Sequence, residues 1–270
     1  MNLGSTDWDN LVNQDNLAGH LEQLSSSAAD ISEAEFEEII ANHILAPIGS
    51  QEVWAAGVTY LRSRDARMEE SKDKGGADCY QRVYEAERPE LFFKALPSRV
   101  SGTGKEVYIR KDSTWNVPEP ELTLFINSDG KIQAYTIGND MSSRSIEGEN
   151  PLYLPQAKMY EKCAGLGPCL FVPGTAISPD TIIGLIINKK GREVFSGTVA
   201  LNRMKRNLPE LAGYLYRECE FPNGSFLMTG TGLVPGDDFT LETGDEVRIT
   251  IDGIGTLVNT IGYNKKAQAL

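Results

Sequence analysis

Three acidic residues are spaced so that they could surround one cation. Glu119 and Glu121 lie two positions apart at the start of a β-patterned run, and Asp140 ends the next run. Alternate residues of a strand point to one face, and a hairpin would bring Asp140 beside the glutamates. Converging carboxylates repel one another unless a cation lies between them, and hard oxygen ligands suit Mg²⁺, Mn²⁺ or Ca²⁺. The pattern therefore predicts a divalent-metal site, although the two glutamates alone would be ordinary solvent-facing residues.

Two further features bear on this hypothesis. Pro118 and Pro120 flank Glu119, and because proline has no backbone N–H we expect this triplet at a sheet edge or a bulge. Lys158 follows Leu-Pro-Gln-Ala. A single lysine is usually a surface residue, but burial near a divalent metal would lower its pKa. Such a lysine could act as a general base.

Composition limits the kind of partner. The chain has 270 residues, enough for one large domain with a small appendage, and a formal net charge of −12. This charge argues against nucleic acid or an anionic membrane as a partner. None of the four cysteines forms a Cys-x-x-Cys pair, which is typical of reduced thiols in an intracellular protein. With no signal-peptide pattern or long apolar run, we expect a soluble, cytoplasmic protein.

The predicted secondary structure changes from helical to mainly β near residue 50. Residues 1–50 carry apolar side chains at helical spacing, which predicts a helical N-terminal region. Residues 51–270 contain short apolar runs separated by turns such as Ser128-Asp-Gly130. We therefore expect an α+β fold, a mixed and mainly antiparallel β-roll or sandwich. The predicted helices are 9–23, 31–44, 65–72, 77–87 and 208–218, and residues 70–80 are polar enough to form a mobile lid. The predicted strands are 53–59, 91–95, 106–109, 121–127, 132–139, 169–172, 181–189, 193–200, 226–229, 245–251 and 255–261.

Five motifs follow one another along the chain: Glu119-Pro-Glu121, Gly138-Asn-Asp-Met-Ser-Ser-Arg144, Lys158 ahead of Leu166-Gly-Pro168, Met228-Thr-Gly-Thr-Gly232 and Ile251-Asp-Gly-Ile-Gly-Thr-Leu-Val-Asn259. Their order resembles the fumarylacetoacetate hydrolase family over about residues 53–262. Each motif is weak alone, but the ordered set is specific. The resemblance implies a β-roll core, with Glu119, Glu121 and Asp140 as ligands of Mg²⁺ or a similar metal, and a small-molecule 2-oxo acid as substrate.

The chain departs from the hydrolytic members of that family. They carry a His-x-x-Glu pair after the first strand, where this chain has Ser63 and Ala66. Its two histidines, His20 and His43, both lie in the helical N-terminal region. The departure argues against a hydrolase, and against acylpyruvase or decarboxylase activities that use the same pair.

A subgroup without that pair, which dehydrates 2-keto-3-deoxy sugar acids, is more similar to this chain. The similarity implies that Lys158 and Glu90 share the acid–base work, although Glu90 would equally be an ordinary acid beside a strand. It also implies substrate contacts from Arg62, Ser63 and Thr231. Arg62 is otherwise interpreted as a solvated side chain, and Thr231 as part of a tight turn.

The implied activity is metal-dependent dehydration, for example of 2-keto-3-deoxy-D-arabinonate to 2,5-dioxopentanoate. Three alternatives stay open. The first is another family activity on a 2-oxo acid, such as a hydratase, an isomerase or a C–C bond hydrolase of aromatic catabolism. The second is a non-catalytic protein that binds a metal and a 2-oxo acid, and the third is a structural protein with no site. The family habit implies a homodimer or homotetramer.

Overall fold

The structure is a computed structural model that describes residues 3, 6–61 and 77–266. The predicted helix over 65–72 and most of the polar segment 70–80 lie outside these residues, so both stay predictions. Among the described residues, no helix is both long enough and apolar enough to span a membrane.

The strands form two large sheets and one small one. The larger sheet has seven strands in the order β2-β1-β12-β6-β7-β9-β3, and the second has five in the order β11-β10-β13-β14-β4. Neighbouring strands are antiparallel except for the pairs β1–β12, β3–β9 and β4–β14. The sheets confirm the predicted mixed, mainly antiparallel α+β fold. The strands are β1 Glu52–Gly57, β2 Glu90–Ala95, β3 Val100–Ser101, β4 Lys105–Ile109, β5 Asn116–Val117, β6 Pro120–Ile126, β7 Ile132–Asp140, β8 Ser142–Ser143, β9 Ala164–Phe171, β10 Ile182–Lys189, β11 Arg192–Ala200, β12 Ser225–Met228, β13 Glu246–Ile251 and β14 Gly255–Tyr263.

The helices of the described residues are all short. They are α1 Trp8–Val12, α2 Leu17–Ser25, α3 Glu33–Asn42, α4 Ala77–Glu85, α5 Arg144–Glu149, α6 Leu154–Lys158 and α7 Leu208–Leu215. The single helix predicted over 9–23 is wrong. The first helix, α1, ends at the C-cap residue Asn13, and α2 begins after its N-cap residue Asn16. The Asn16 side chain accepts a hydrogen bond from the Gly19 N–H and so caps α2.

Two apolar cores lie on opposite faces of the seven-stranded sheet. One face carries Leu122 and Leu124, which pack with Leu185 and other residues of the five-stranded sheet. The other face, called here the outer face, carries residues such as Phe125 and Met228, and α1 and α2 cover part of it. Every residue of β6 is therefore buried, because successive side chains enter one core and then the other. The division of the chain near residue 50 stays a prediction.

The hairpins confirm the turn predictions, whereas β9 begins earlier than predicted. The turn Ser128-Asp-Gly130 joins β6 to β7, and Gly130 has a positive φ of 76° that suits a tight turn. β9 begins at Ala164, not at Cys169, because the glycine-rich stretch 164–167 pairs with β7. The β6–β7 hairpin and the start of β9 together form one end of the outer face.

Candidate active site

The β6–β7 hairpin brings the three acidic residues together on the outer face. Asp140 and Glu119 exchange two backbone hydrogen bonds, of 3.0 and 3.2 Å, and Glu121 lies opposite Gly138. One carboxylate oxygen from each of Glu119, Glu121 and Asp140 lies within 4.8 Å of the others, and all three residues are buried. The structure therefore confirms the predicted convergence.

The predicted edge position of the proline-flanked triplet is wrong. β6 lies between β12 and β7, in the middle of the seven-stranded sheet. Proline is tolerated there because β12 pairs with β6 only over Thr123–Ile126. The backbone N–H and C=O of Glu119 point towards β7, so those of the next residue, Pro120, point the other way. On that side β12 does not pair with Pro120, so no hydrogen bond is lost for want of an N–H.

Lys158 lies between two of the carboxylates. It ends α6 and is fully buried. Its Nζ donates to Asp140 Oδ2 at 3.0 Å and makes a second ion pair with Glu119 Oε2. The structure thus places the predicted proton-handling residue against the predicted metal ligands.

A second buried lysine, Lys94, was not predicted from the sequence. Its Nζ lies 2.6 Å from Asp140 Oδ1 and donates to the carbonyls of Met141 and Lys158 at 3.0 and 2.5 Å. Two of these contacts are hydrogen bonds to backbone carbonyls, and the third is an ion pair with Asp140. The available signal was a lysine at the end of an apolar β-run, Leu91-Phe-Phe-Lys94.

Arg144 is the third buried cation, and it makes the three carboxylates unequal. Its guanidinium pairs with Glu119 Oε1, so both oxygens of Glu119 face a cation, as do both oxygens of Asp140. Glu121 has no ion pair among residues 6–61 and 77–266; its Oε2 accepts a 2.6 Å hydrogen bond from the Gly230 N–H. Burial raises the Glu121 pKa well above its usual value of 4.5, and the charges of Asp140 and Glu119 raise it further. Glu121 is therefore the carboxylate that gains most from an added cation.

The residues fit a divalent cation. Oxygens bound to one ion at about 2.0–2.6 Å are separated by at most roughly 4–5 Å, and the cluster spans 4.8 Å. The donors are hard carboxylate oxygens, and the repulsion that acts on Glu121 is what a cation would relieve. The roles of Glu119, Glu121 and Asp140 as ligands stay a prediction.

Glu90 begins β2 on the face that leads to this cluster. It alternates along β2 with Phe92 and Lys94, and the Phe92 ring centroid lies 5.8 Å from Lys158 Nζ. Glu90 pairs with Gly57, and its carboxylate lies over that glycine. A Cβ atom on Gly57 would lie 2.1 Å from Glu90 Oε2. The strand register is consistent with the predicted acid–base role of Glu90, which stays a prediction.

The predicted substrate-binding residues have different outcomes. Arg62 and Ser63 lie outside the described residues. Thr231 is buried, and its Oγ1 donates to Leu233 O at 3.0 Å and accepts from Leu233 N at 3.2 Å. These bonds belong to a tight turn, so the turn interpretation accounts for them, while a substrate contact of Thr231 stays a prediction.

The loop over 229–232 is fixed on the end of β1. Thr59 Oγ1 donates to Thr229 O at 2.8 Å, and a Cβ atom on Gly230, which has a φ of 92°, would lie 2.0 Å from Thr59 Oγ1. Only glycine allows this close approach with that backbone conformation. The approach aims the Gly230 N–H at Glu121.

A mixed β-sandwich with a buried carboxylate–lysine centre is the class of protein that this fold and site define. Residues 53–262 match the family described as fumarylacetoacetate (FAA) hydrolase C-terminal, and the chain belongs to this family. The match confirms the resemblance predicted from the ordered motifs.

Two curated relatives and one solved structure are informative. The chain is 43% identical over 242 residues to a probable 2-keto-3-deoxyxylonate dehydratase of Haloferax volcanii, covering 89% of this chain and 82% of the relative. It is 44% identical over 225 residues to a 2-dehydro-3-deoxy-D-arabinonate dehydratase of Saccharolobus solfataricus, covering 83% and 76%. A structure of 2-keto-3-deoxy-D-arabinonate dehydratase complexed with magnesium and 2,5-dioxopentanoate matches with a TM-score of 0.81 and 36% identity, covering 97% of this chain and 91% of that one.

Proposed function

We propose that this protein is a Mg²⁺-dependent dehydratase of a 2-keto-3-deoxy sugar acid, such as 2-keto-3-deoxy-D-arabinonate, which would give 2,5-dioxopentanoate. The observation that carries the proposal is the buried cluster of Glu119, Glu121 and Asp140 with Lys158 Nζ 3.0 Å from Asp140. The dehydratase relatives at 43% and 44% identity support the same reaction class. The sequence lacks the His-x-x-Glu pair of the hydrolytic members, which favours dehydration over hydrolysis.

Two acid–base groups suit this reaction. A bound divalent cation would supply Lewis-acid polarisation of the 2-oxo group, which makes the C3 proton acidic. Dehydration removes a proton from C3 and the hydroxyl from C4, so one group accepts a proton and another donates one to the leaving water. Lys158 and Glu90 take these two roles, in either order, and tautomerisation towards C5 completes the dioxo product.

The burial of the centre favours such proton transfers. Lys158 and Lys94 are fully buried, and the carboxylates around them are at most 3% exposed. Excluding water strengthens the electrostatic interactions between these groups and whatever binds there. Lys94 fixes Asp140 from one side while Lys158 contacts it from the other.

The proposed function also includes an oligomeric state and a cellular compartment. We propose a cytoplasmic homodimer or homotetramer with a helical region over 1–50 and a catalytic domain over 51–270. α3 buries none of its residues and leaves Phe36, Ile39 and Ile40 exposed, which supports a subunit contact at this helix.

Turnover on a defined substrate tests the proposed activity. We expect the purified protein with Mg²⁺ to convert 2-keto-3-deoxy-D-arabinonate to 2,5-dioxopentanoate, measured through a coupled aldehyde dehydrogenase. EDTA should abolish turnover and Mg²⁺ should restore it. Dicarboxylic 2-oxo acids serve as comparison substrates. No turnover on any 2-keto-3-deoxy sugar acid would reject the proposal, and thermal stabilisation by the acid without product would favour a binding protein.

Gly57→Ala tests the placement of Glu90. We expect about a 10-fold or larger fall in kcat with little change in melting temperature, because the new Cβ displaces the flexible end of Glu90 and leaves the backbone in place. Gly184→Ala in β10 is the matched control, since its nearest neighbours would lie at 3.8 Å. An unchanged kcat in Gly57→Ala would remove Glu90 from the acid–base pair.

A further inference from the structure

Arg206 holds the connection between α4 and β2. Its side chain is only 7% exposed although it carries a full charge. Its guanidinium donates to the carbonyls of Ala86 at 2.5 Å, Glu87 at 2.7 Å and Val83 at 3.4 Å. One arginine therefore binds three carbonyls within about one turn of backbone where α4 ends.

The physical chemistry of a helix end explains this contact. The last carbonyls of a helix have no partner within it and carry a partial negative charge, which a cation stabilises. The planar guanidinium presents five donors in a fixed fork, so it can bind several carbonyls in one geometry. The Nη1 that donates to Glu87 O also makes a 2.7 Å ion pair with Glu210 Oε1, which holds the guanidinium in place.

The held connection leads directly to Glu90. Only two residues, Arg88 and Pro89, separate Glu87 from Glu90 at the start of β2. A second contact fixes the same stretch, because the Tyr214 hydroxyl donates to Glu87 Oε1 at 3.3 Å. The position of the Glu90 backbone thus depends on contacts made by residues near α7.

We propose that Arg206 is a positioning residue that sets the place of Glu90 for proton transfer. The proposal rests on the dehydratase function proposed above, because it gives Arg206 an effect through Glu90. Arg206 itself contacts neither the carboxylate cluster nor the reacting atoms. Its contribution is to fix the chain that carries Glu90 within the small displacement that acid–base chemistry tolerates.

A double-mutant cycle between Arg206 and Glu90 tests this proposal. We expect Arg206→Met to lower kcat by about 10- to 100-fold with nearly unchanged KM, and Arg206→Lys to recover part of that loss. Glu90→Gln should lose more, and Arg206→Met with Glu90→Gln should lose little beyond Glu90→Gln alone. Mg²⁺ affinity by calorimetry should stay at the wild-type value in each Arg206 variant. Arg203→Met is the matched control, since Arg203 is an exposed arginine three residues earlier.

The outcomes separate this proposal from the proposed function. Losses that multiply in the double variant, or a parallel loss of Mg²⁺ affinity, would show a general structural role and overturn the proposal. If Arg206→Met does not fold, Arg206→Lys carries the same cycle. If the wild type and Arg203→Met are both inactive, the dehydratase function fails. In that case, hydrogen exchange of the backbone amides over 86–92 still tests whether Arg206 fixes the chain that carries Glu90. Faster exchange in Arg206→Met than in the wild type supports the positioning role, and unchanged exchange overturns it.

Discussion

Lys158→Met is expected to lower kcat by about 10²- to 10⁴-fold, because a positioned acid–base group contributes roughly that factor. Methionine keeps most of the length of the side chain and removes the charge and the donors. Glu119 and Asp140 each keep another cation, Arg144 and Lys94, so the carboxylates stay in place. Steady-state kinetics of the variant measure the loss.

Metal binding and stability separate the chemical role of Lys158 from a structural one. We expect Lys158→Met to bind Mg²⁺ at least as tightly as the wild type, since the oxygens of Glu119, Glu121 and Asp140 remain. Without Mg²⁺ its melting temperature should fall, because removing one member of a buried ion pair costs roughly 3–5 kcal/mol. Lys162→Met is the control, as the Lys162 side chain is 35% exposed. A kcat close to wild type in Lys158→Met would exclude it from proton transfer.

The local parts of this fold follow from the sequence, and the strand order does not. Turns such as Ser128-Asp-Gly130 and alternating apolar residues fix most strands within two residues. The position of β12 between β1 and β6 joins segments more than 100 residues apart. No short-range pattern specifies that order, so the sequence placed Pro120 at an edge when it lies in a central strand.

The same limit applies to the site. Glu119, Glu121 and Asp140 could be grouped because one hairpin carries all three. Lys94 and Arg206 were missed because their partners lie far along the chain, at Asp140 and at the end of α4. A buried charge shows its role only when its neighbours are known, since an isolated lysine or arginine is usually exposed.

Glu121→Gln is expected to lower Mg²⁺ affinity by at least about 100-fold and to abolish turnover. Glutamine keeps the shape and the hydrogen bond from the Gly230 N–H, but it removes the charge that a divalent cation needs. Glu121 is also the carboxylate of the cluster that has no ion pair with a described lysine or arginine, so the cation is its main source of stabilisation. Calorimetric Mg²⁺ titration checks this, with exposed Glu193→Gln on β11 as the control. Normal Mg²⁺ affinity in Glu121→Gln would refute its assignment as a ligand.

Because the pKa of Glu121 is raised, both the stability of the metal-free protein and its Mg²⁺ affinity should depend on pH. Its folded-state pKa lies well above the usual 4.5, so its contribution to stability is fully present below 4.5 and is lost as the pH rises through the folded value. The melting temperature of the metal-free wild type should therefore fall with rising pH in that window, and Glu121→Gln should lack this part of the fall. Mg²⁺ requires the ionised carboxylate, so its binding should release a proton from Glu121 and tighten with pH. If the melting temperatures of both proteins fall equally without metal, Glu121 is not the carboxylate that gains most from a bound cation.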